Sequence, residues 1–177
     1  MTLRTICLHG PESTGKSTLA PRLAARFGGQ WIAEYGRTYT EQHGTGWTMA
    51  DLVAIAEAHD AETHAALARG PLPVILDTDP LMTEAWAEML YGEHDPWFDA
   101  WGNVADLYLL FDIDLPWIAD GIRVFETAAE QRRFFDISRA VLERRGVRWA
   151  MVRGEGEARY RNAVAAIEGA VREAGAD

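Results

Sequence analysis

The chain has 177 residues, 48% apolar and 25% charged, which is the balance of one globular domain with its own core and not of a disordered tract. Lys plus Arg number 17 against 27 Asp plus Glu, and the net charge of −10 argues against non-specific binding to nucleic acid or to an anionic membrane. A single cysteine, Cys7, cannot close an internal disulfide, no apolar run approaches a membrane span, and the first residues lack a signal peptide's apolar stretch. A single cytoplasmic domain over 1–177 is expected.

Strand and helix patterns alternate along the chain. Leu3 to Leu8 is an apolar run that stops at a glycine and reads as a buried strand. Residues 15–27 follow as a helix with Leu19, Leu23 and Phe27 on one face, and Trp31 to Ala33 is a second short strand. Thr48 and Asp51 resemble a capping box opening a helix that runs to about Arg69, before Gly70-Pro71. Pro73 to Leu76 is a third strand, followed by a helix through Met89; Val104 to Phe111 is a fourth. A second capping box, Thr127 and Glu130, opens a helix with Phe134, Ile137 and Val141 as its apolar stripe. Val147 to Val152 and a last helix through Tyr160, Val164, Ile167 and Val171 complete the pattern. Such alternation implies right-handed crossovers and a parallel sheet covered on both faces, an α/β fold of three layers.

Between the first strand and the first helix stand Gly10, Pro11, Glu12, Ser13, Thr14, Gly15, Lys16 and Ser17, with Thr18 next. This is G-x-x-x-x-G-K-[ST] in the position its mechanism requires. Glycines let consecutive N–H groups converge on a phosphate, and the helix start adds its positive dipole end. Lys16 is suited to the β- and γ-phosphates and the Ser17 hydroxyl to Mg²⁺. All other basic residues of the chain are arginines, so its one lysine falls where a compact ammonium serves best. The loop points to binding of a nucleoside triphosphate.

Phosphoryl transfer also needs a metal anchor, a group for the acceptor proton, and cations over the transferring phosphate. The third strand runs into Asp77-Thr78-Asp79, where Asp77 is suited to Mg²⁺ through water and Asp79 either to the site or to capping the next helix. Glu34, leaving the second strand ahead of Tyr35, Gly36 and Arg37, faces the same crevice and could accept a hydroxyl proton, although an exposed glutamate is often only solvated. Asp120-Gly121-Ile122-Arg123, with Arg132 and Arg133, lies where a short lid would bring arginines over phosphates; a charged helix face is the plainer reading for at least one of that pair. Trp31, Trp86 and Trp149 read as core or sheet-face residues, whereas Trp47, Trp97 and Trp101 could wall a heteroaromatic substrate or cover the core. The five histidines show no metal-ligand spacing, and Cys7 reads as buried and inert.

Taken together, GPESTGKST, EYGR at 34–37, LDTD followed by Thr83 and Trp86, Tyr91-Gly92, and PWIADGIR at 116–123 resemble the nicotinamide riboside kinase domain of bacterial NadR-type proteins over roughly residues 3–165. The resemblance implies a P-loop NTPase/kinase fold with a parallel five-stranded sheet, ATP and Mg²⁺, and conversion of nicotinamide riboside to its mononucleotide. By matching position it implies Glu34 near the riboside 5′-hydroxyl, Asp77 near the metal and Asp79 near the riboside. Trp86 and Tyr91 would be candidates for the nicotinamide pocket, with Tyr35, Arg37 and Asp120 also on the substrate side and Arg123 on the lid. The family often has two acids before the lid glycine; here the first is Ala119. Relatives carry DNA-binding and adenylyltransferase modules ahead of the kinase, and neither activity is expected of a chain that begins at the kinase's first strand. Two alternatives stand beside this reading: a kinase of another nucleoside or small metabolite, and a nucleotide-binding switch or ATPase without an acceptor. An N-K-x-D guanine motif is missing from the sequence, which disfavours a GTPase.

Overall fold

The computed structural model describes residues 3–44, 46–115 and 127–175. Five strands, β1 (Thr5–His9), β2 (Gln30–Ile32), β3 (Val74–Asp77), β4 (Leu107–Phe111) and β5 (Trp149–Val152), form one parallel sheet in the order β2-β3-β1-β4-β5. Among the described residues seven helices accompany it: α1 (Lys16–Phe27), α2 (Tyr35–His43), α3 (Met49–Arg69), α4 (Pro80–Tyr91), α5 (Pro96–Ala100), α6 (Ala128–Arg144) and α7 (Gly156–Ala174). Because β1 is central and its neighbours β3 and β4 come from later in the chain, the carboxyl ends of all three meet at one edge. That edge is where an open parallel sheet places its ligands.

Strand alternation sorts the apolar residues into two cores. Ile6, Leu8, Ile75, Leu107, Leu109 and Phe111 point to one face and pack with Leu19 and Leu23 of α1 and Ala163 and Ile167 of α7. Cys7, Leu76, Tyr108 and Leu110 point to the other, against Leu52 of α3, Leu81 and Ala85 of α4, and Phe134 and Val141 of α6. The period of two along each strand thereby produces three layers, as the sequence pattern implies. Cys7 is fully buried. Among the described residues no helix is long and apolar enough to cross a membrane.

The structure adds two helices to the sequence reading, places Trp31 outside the core, and decides between the two readings open for Trp101. Residues 35–43 and 96–100 form helices that the apolar pattern did not reveal; α2 buries none of its residues and α5 is barely more than one turn, so neither carries a legible stripe. Trp31 is 45% exposed because β2 is an edge strand with a partner on one side only. Trp101 is core rather than pocket wall: it is buried, and its indole N–H donates to the Asp60 carboxylate at 2.8 Å.

Both capping boxes form. At α6 the Thr127 hydroxyl accepts the Glu130 N–H at 3.2 Å while the Glu130 carboxylate accepts the Thr127 N–H at 3.0 Å. This start matters because α6 packs Phe134 beneath the site. Thr127→Ala is expected to lower the unfolding free energy by about 1 kcal/mol. Thr127→Ser, which keeps the hydroxyl, should stay within about 0.5 kcal/mol. Urea unfolding of both variants checks this, and equal stability of Ala and Ser would remove the cap's contribution.

Candidate active site

Leaving β1, the chain passes so close to β4 that a Cβ on Gly10 would lie 2.9 Å from the Phe111 carbonyl oxygen, and Gly10 has φ +118°. Only glycine fits there. Ser13 (φ 67°) and Gly15 (φ 88°) turn the loop back into α1, for which Gly15 is the N-cap. The Pro11 carbonyl accepts from the Thr14 hydroxyl at 2.7 Å and from the Lys16 ammonium at 2.6 Å, so the loop is tied across its own mouth. Ser17 and Thr18 lie exposed in the first turn of α1. Gln131 of α6 donates to the Glu12 carbonyl at 3.3 Å, and Arg159 of α7 donates to the Thr14 carbonyl at 2.9 Å.

A cavity of about 350 Å³ opens beside this loop. It is lined by Glu12, Ser13 and Lys16 of the loop, by Glu34, Arg37 and Glu41, and by the aromatic residues Trp47, Trp86 and Phe134. Burial lowers the pKa of Lys16, and the neighbouring Asp77, Glu34 and Glu12 charges oppose that shift. Burial raises the pKa of Glu34, reinforced by Asp77 and Glu12 and opposed by Lys16 and Arg37. A carboxylate with raised basicity and a desolvated ammonium thus share one cavity, the pairing that proton abstraction beside phosphate chemistry uses.

Asp77 ends β3 beside Leu8 of β1, is 2% exposed, and has its Oδ1 without a hydrogen-bond partner. An orphaned buried carboxylate oxygen next to the loop fits a hydrated divalent cation, with the exposed Ser17 hydroxyl as the second protein donor. Thr78, the next residue, has φ 75° although it is β-branched, and it lines the cavity. Such a conformation persists only where its surroundings impose it. Its N–H is held by the Leu8 carbonyl at 3.2 Å.

Of the other expected site residues, Trp86 lines the cavity, whereas Asp79 and Tyr91 are not in its lining. Asp79 caps α4, accepting the Leu81 N–H at 3.0 Å and the Tyr108 hydroxyl at 2.5 Å, and is not among the residues lining the cavity. Burial pushes its pKa up to about 6 even though both hydrogen bonds work the other way. Of the two roles open to it, capping is the one the geometry displays. Tyr91 is 48% exposed at the end of α4, with its hydroxyl donating to the Trp47 carbonyl; it too stands outside the cavity lining. Trp86 is both core and wall: it is 9% exposed, lies 4.3 Å from the Phe134 ring and meets Trp47 edge-on. Tyr35 donates its backbone N–H to His59 of α3 at 3.1 Å, which anchors the residue after Glu34. Burial pushes the His59 pKa down to about 4, so the ring is neutral and able to accept. Arg132 and Arg133 are both exposed, consistent with a charged helix face. Asp120 and Arg123 lie outside the described residues.

His59, Gln131 and Arg159 escaped the sequence reading. Each acts on backbone far away in the chain, and nothing in its local sequence sets it apart.

The strand order and the loop define a P-loop NTPase/kinase fold. The chain belongs to the AAA domain family, whose model matches residues 5–159. It is 30% identical over 159 residues to the trifunctional NAD biosynthesis/regulator protein NadR of Escherichia coli K12, and 30% identical over 157 residues to that of Salmonella typhimurium LT2. These alignments cover 86% and 85% of this chain but only 39% and 38% of those proteins, so the chain spans about two fifths of their length. The fold is similar to a crystal structure of NadR protein in complex with NR, at 24% identity and TM-score 0.76, covering 94% of this chain and 51% of that one. A deoxyadenosine kinase from M. mycoides shares the fold at 11% identity and TM-score 0.66, with 93% of this chain and 99% of that one covered.

Asp79→Ala removes the α4 cap and leaves the buried Tyr108 hydroxyl without its acceptor. A loss of about 2–4 kcal/mol is expected in urea unfolding. A variant of near wild-type stability with a tenfold higher acceptor KM would instead put Asp79 in the substrate pocket.

Proposed function

We propose that this chain is an ATP-dependent kinase that transfers the γ-phosphoryl group to the 5′-hydroxyl of nicotinamide riboside, giving nicotinamide mononucleotide. The observation that carries the proposal is the shared cavity: Lys16 of the phosphate loop and Glu34 of the second strand's exit line one space together with the aromatic side chains of Trp47 and Trp86. A nucleotide switch has no use for a carboxylate of raised basicity and an aromatic chamber beside its phosphate loop. The similarity to NadR proteins, one of them solved with NR and another with NAD and AMP-PNP, supports the same reading.

In this mechanism the loop amides and Lys16 hold the β- and γ-phosphates, and Glu34 accepts the proton of the attacking hydroxyl. Ser17 and Asp77 would hold Mg²⁺, which when bound neutralises phosphate charge. Trp47 and Trp86 give the cavity an aromatic lining suited to a flat ring, with the buried Phe134 packed against Trp86, and Glu12, Glu34 and Glu41 outnumber Lys16 and Arg37 on its wall, a balance suited to the riboside's ring cation. Arg37 on the cavity wall, with Asp120 and Arg123 by resemblance, completes the proposed polar set. The acidic surface supports small molecules rather than nucleic acid or membrane as partners, in a cytoplasmic setting.

The structural likeness to a deoxyadenosine kinase favours one second reading, phosphorylation of another nucleoside. ADP formation measured with nicotinamide riboside, adenosine, uridine and thymidine separates the two. A cation over an aromatic face contributes about 0.5–2 kcal/mol, so a preference of several-fold or more for the riboside in kcat/KM is expected. Comparable use of a neutral nucleoside would establish the second reading, and ADP release without any acceptor would sink both.

Glu34→Gln should lower kcat about a hundredfold or more while leaving nucleotide affinity nearly unchanged. Glu34 works only when ionised, so wild-type activity should fall as the pH drops through its raised pKa, above the ordinary glutamate range. The variant's residual activity should lack that acid limb. A variant retaining more than about a tenth of the activity would remove Glu34 from the proton-accepting role.

A further inference from the structure

The geometry points to Arg159 as a positioning residue that orients the phosphate loop's Gly15 amide, by fixing the Thr14 carbonyl from the loop's outer side. Arg159 stands in the first turn of α7 and is 2% exposed, unlike the arginines on the helix faces. Its Nη1 donates to the Thr14 carbonyl at 2.9 Å, its Nε to the Gly154 carbonyl at 2.6 Å, and Nη2 to the Asp112 carbonyl at 3.1 Å and to the Asp114 carboxylate. Asp114 in turn accepts the Gly154 N–H at 2.7 Å. One planar fork therefore joins the ends of β4 and β5 to the middle of the loop.

The consequence follows from peptide geometry. In a planar trans peptide the C=O and the following N–H point in opposite directions. Drawing the Thr14 oxygen outward to Arg159 turns the Gly15 N–H the other way, toward the concave side of the loop. There it is one of the amides a phosphate would meet. The Arg159 stem reinforces this: a Cβ on Gly15 would lie 3.9 Å from its Cδ, so the side chain backs the loop at that residue. Gly15 has φ 88°; its carbonyl is held by the Leu19 N–H at 3.1 Å inside α1, whereas the peptide on its amino side is held at the Thr14 oxygen by Arg159. Gln131 ties the preceding Glu12 carbonyl from the opposite flank. Arginine suits the post because three carbonyls and a carboxylate converge in directions that a single ammonium cannot serve together.

Arg159 touches neither reacting atom; its role is exerted through Gly15. The inference rests on the phosphate-binding reading of the loop and is independent of which acceptor the protein uses. It is tested with Arg159→Lys and Arg159→Gln by measuring the Kd of a fluorescent ATP analogue with Mg²⁺ and no acceptor. The backbone amide resonance of Gly15 is followed with and without Mg-ADP. Nucleotide affinity is expected to fall at least tenfold in Arg159→Gln and several-fold in Arg159→Lys, with a diminished ADP-induced shift of the Gly15 amide. The KM for nicotinamide riboside should stay unchanged. Nucleotide Kd values within twofold of wild type in the folded variants, with the Gly15 shift intact, would overturn the inference whatever happens to thermal stability. If Arg159→Gln does not fold, Arg159→Lys decides alone. A wild-type protein that binds ATP tightly yet phosphorylates no nucleoside would defeat the proposed function while leaving this test valid.

Discussion

The site depends on a buried ammonium held among carboxylates. Lys16 is 7% exposed and bonded to the Pro11 carbonyl, with Asp77, Glu34 and Glu12 close enough to oppose the loss of its charge. Desolvating an ammonium costs several kcal/mol, which such neighbours must offset. The acids gain as well, since without Lys16 three negative groups would face each other across a small space.

That balance is delivered by topology. With β1 between β3 and β4, Asp77 at the end of β3 is brought beside the loop that leaves β1, and Glu34 arrives from β2 at the neighbouring edge. The backbone is strained at two turns beside the cavity, at Ser13 and Thr78. The cost is offset by two flanking cores that bury the sheet on both faces. Trp86 shows how closely the layers are shared, since its ring packs on Phe134 in the core while lining the cavity.

Much of this was legible beforehand because it is local. The phosphate loop carries its chemistry in consecutive residues, the five strands are short apolar runs, and both capping boxes announce helix starts within four residues. What was hidden is non-local or lacks a pattern. α2 has no buried stripe and α5 is a single turn, so periodicity could not reveal them. Asp79 was open to two roles, and only the position of Tyr108, 29 residues away, shows its cap to be a buried hydrogen-bond hub. Arg159 reaches Thr14 across 145 residues, a relation that no spacing rule encodes.

If donor and acceptor meet in one cavity, as proposed, transfer between them is direct, without a phosphorylated protein side chain in between. An in-line displacement inverts configuration at the transferred phosphorus. The stereochemical course with ATP made chiral at the γ-phosphorus by oxygen isotopes, transferred to nicotinamide riboside, tests this in a single measurement. Inversion in the mononucleotide product is the result predicted. Retention would require two successive displacements through a covalent phosphoryl intermediate and would contradict the account.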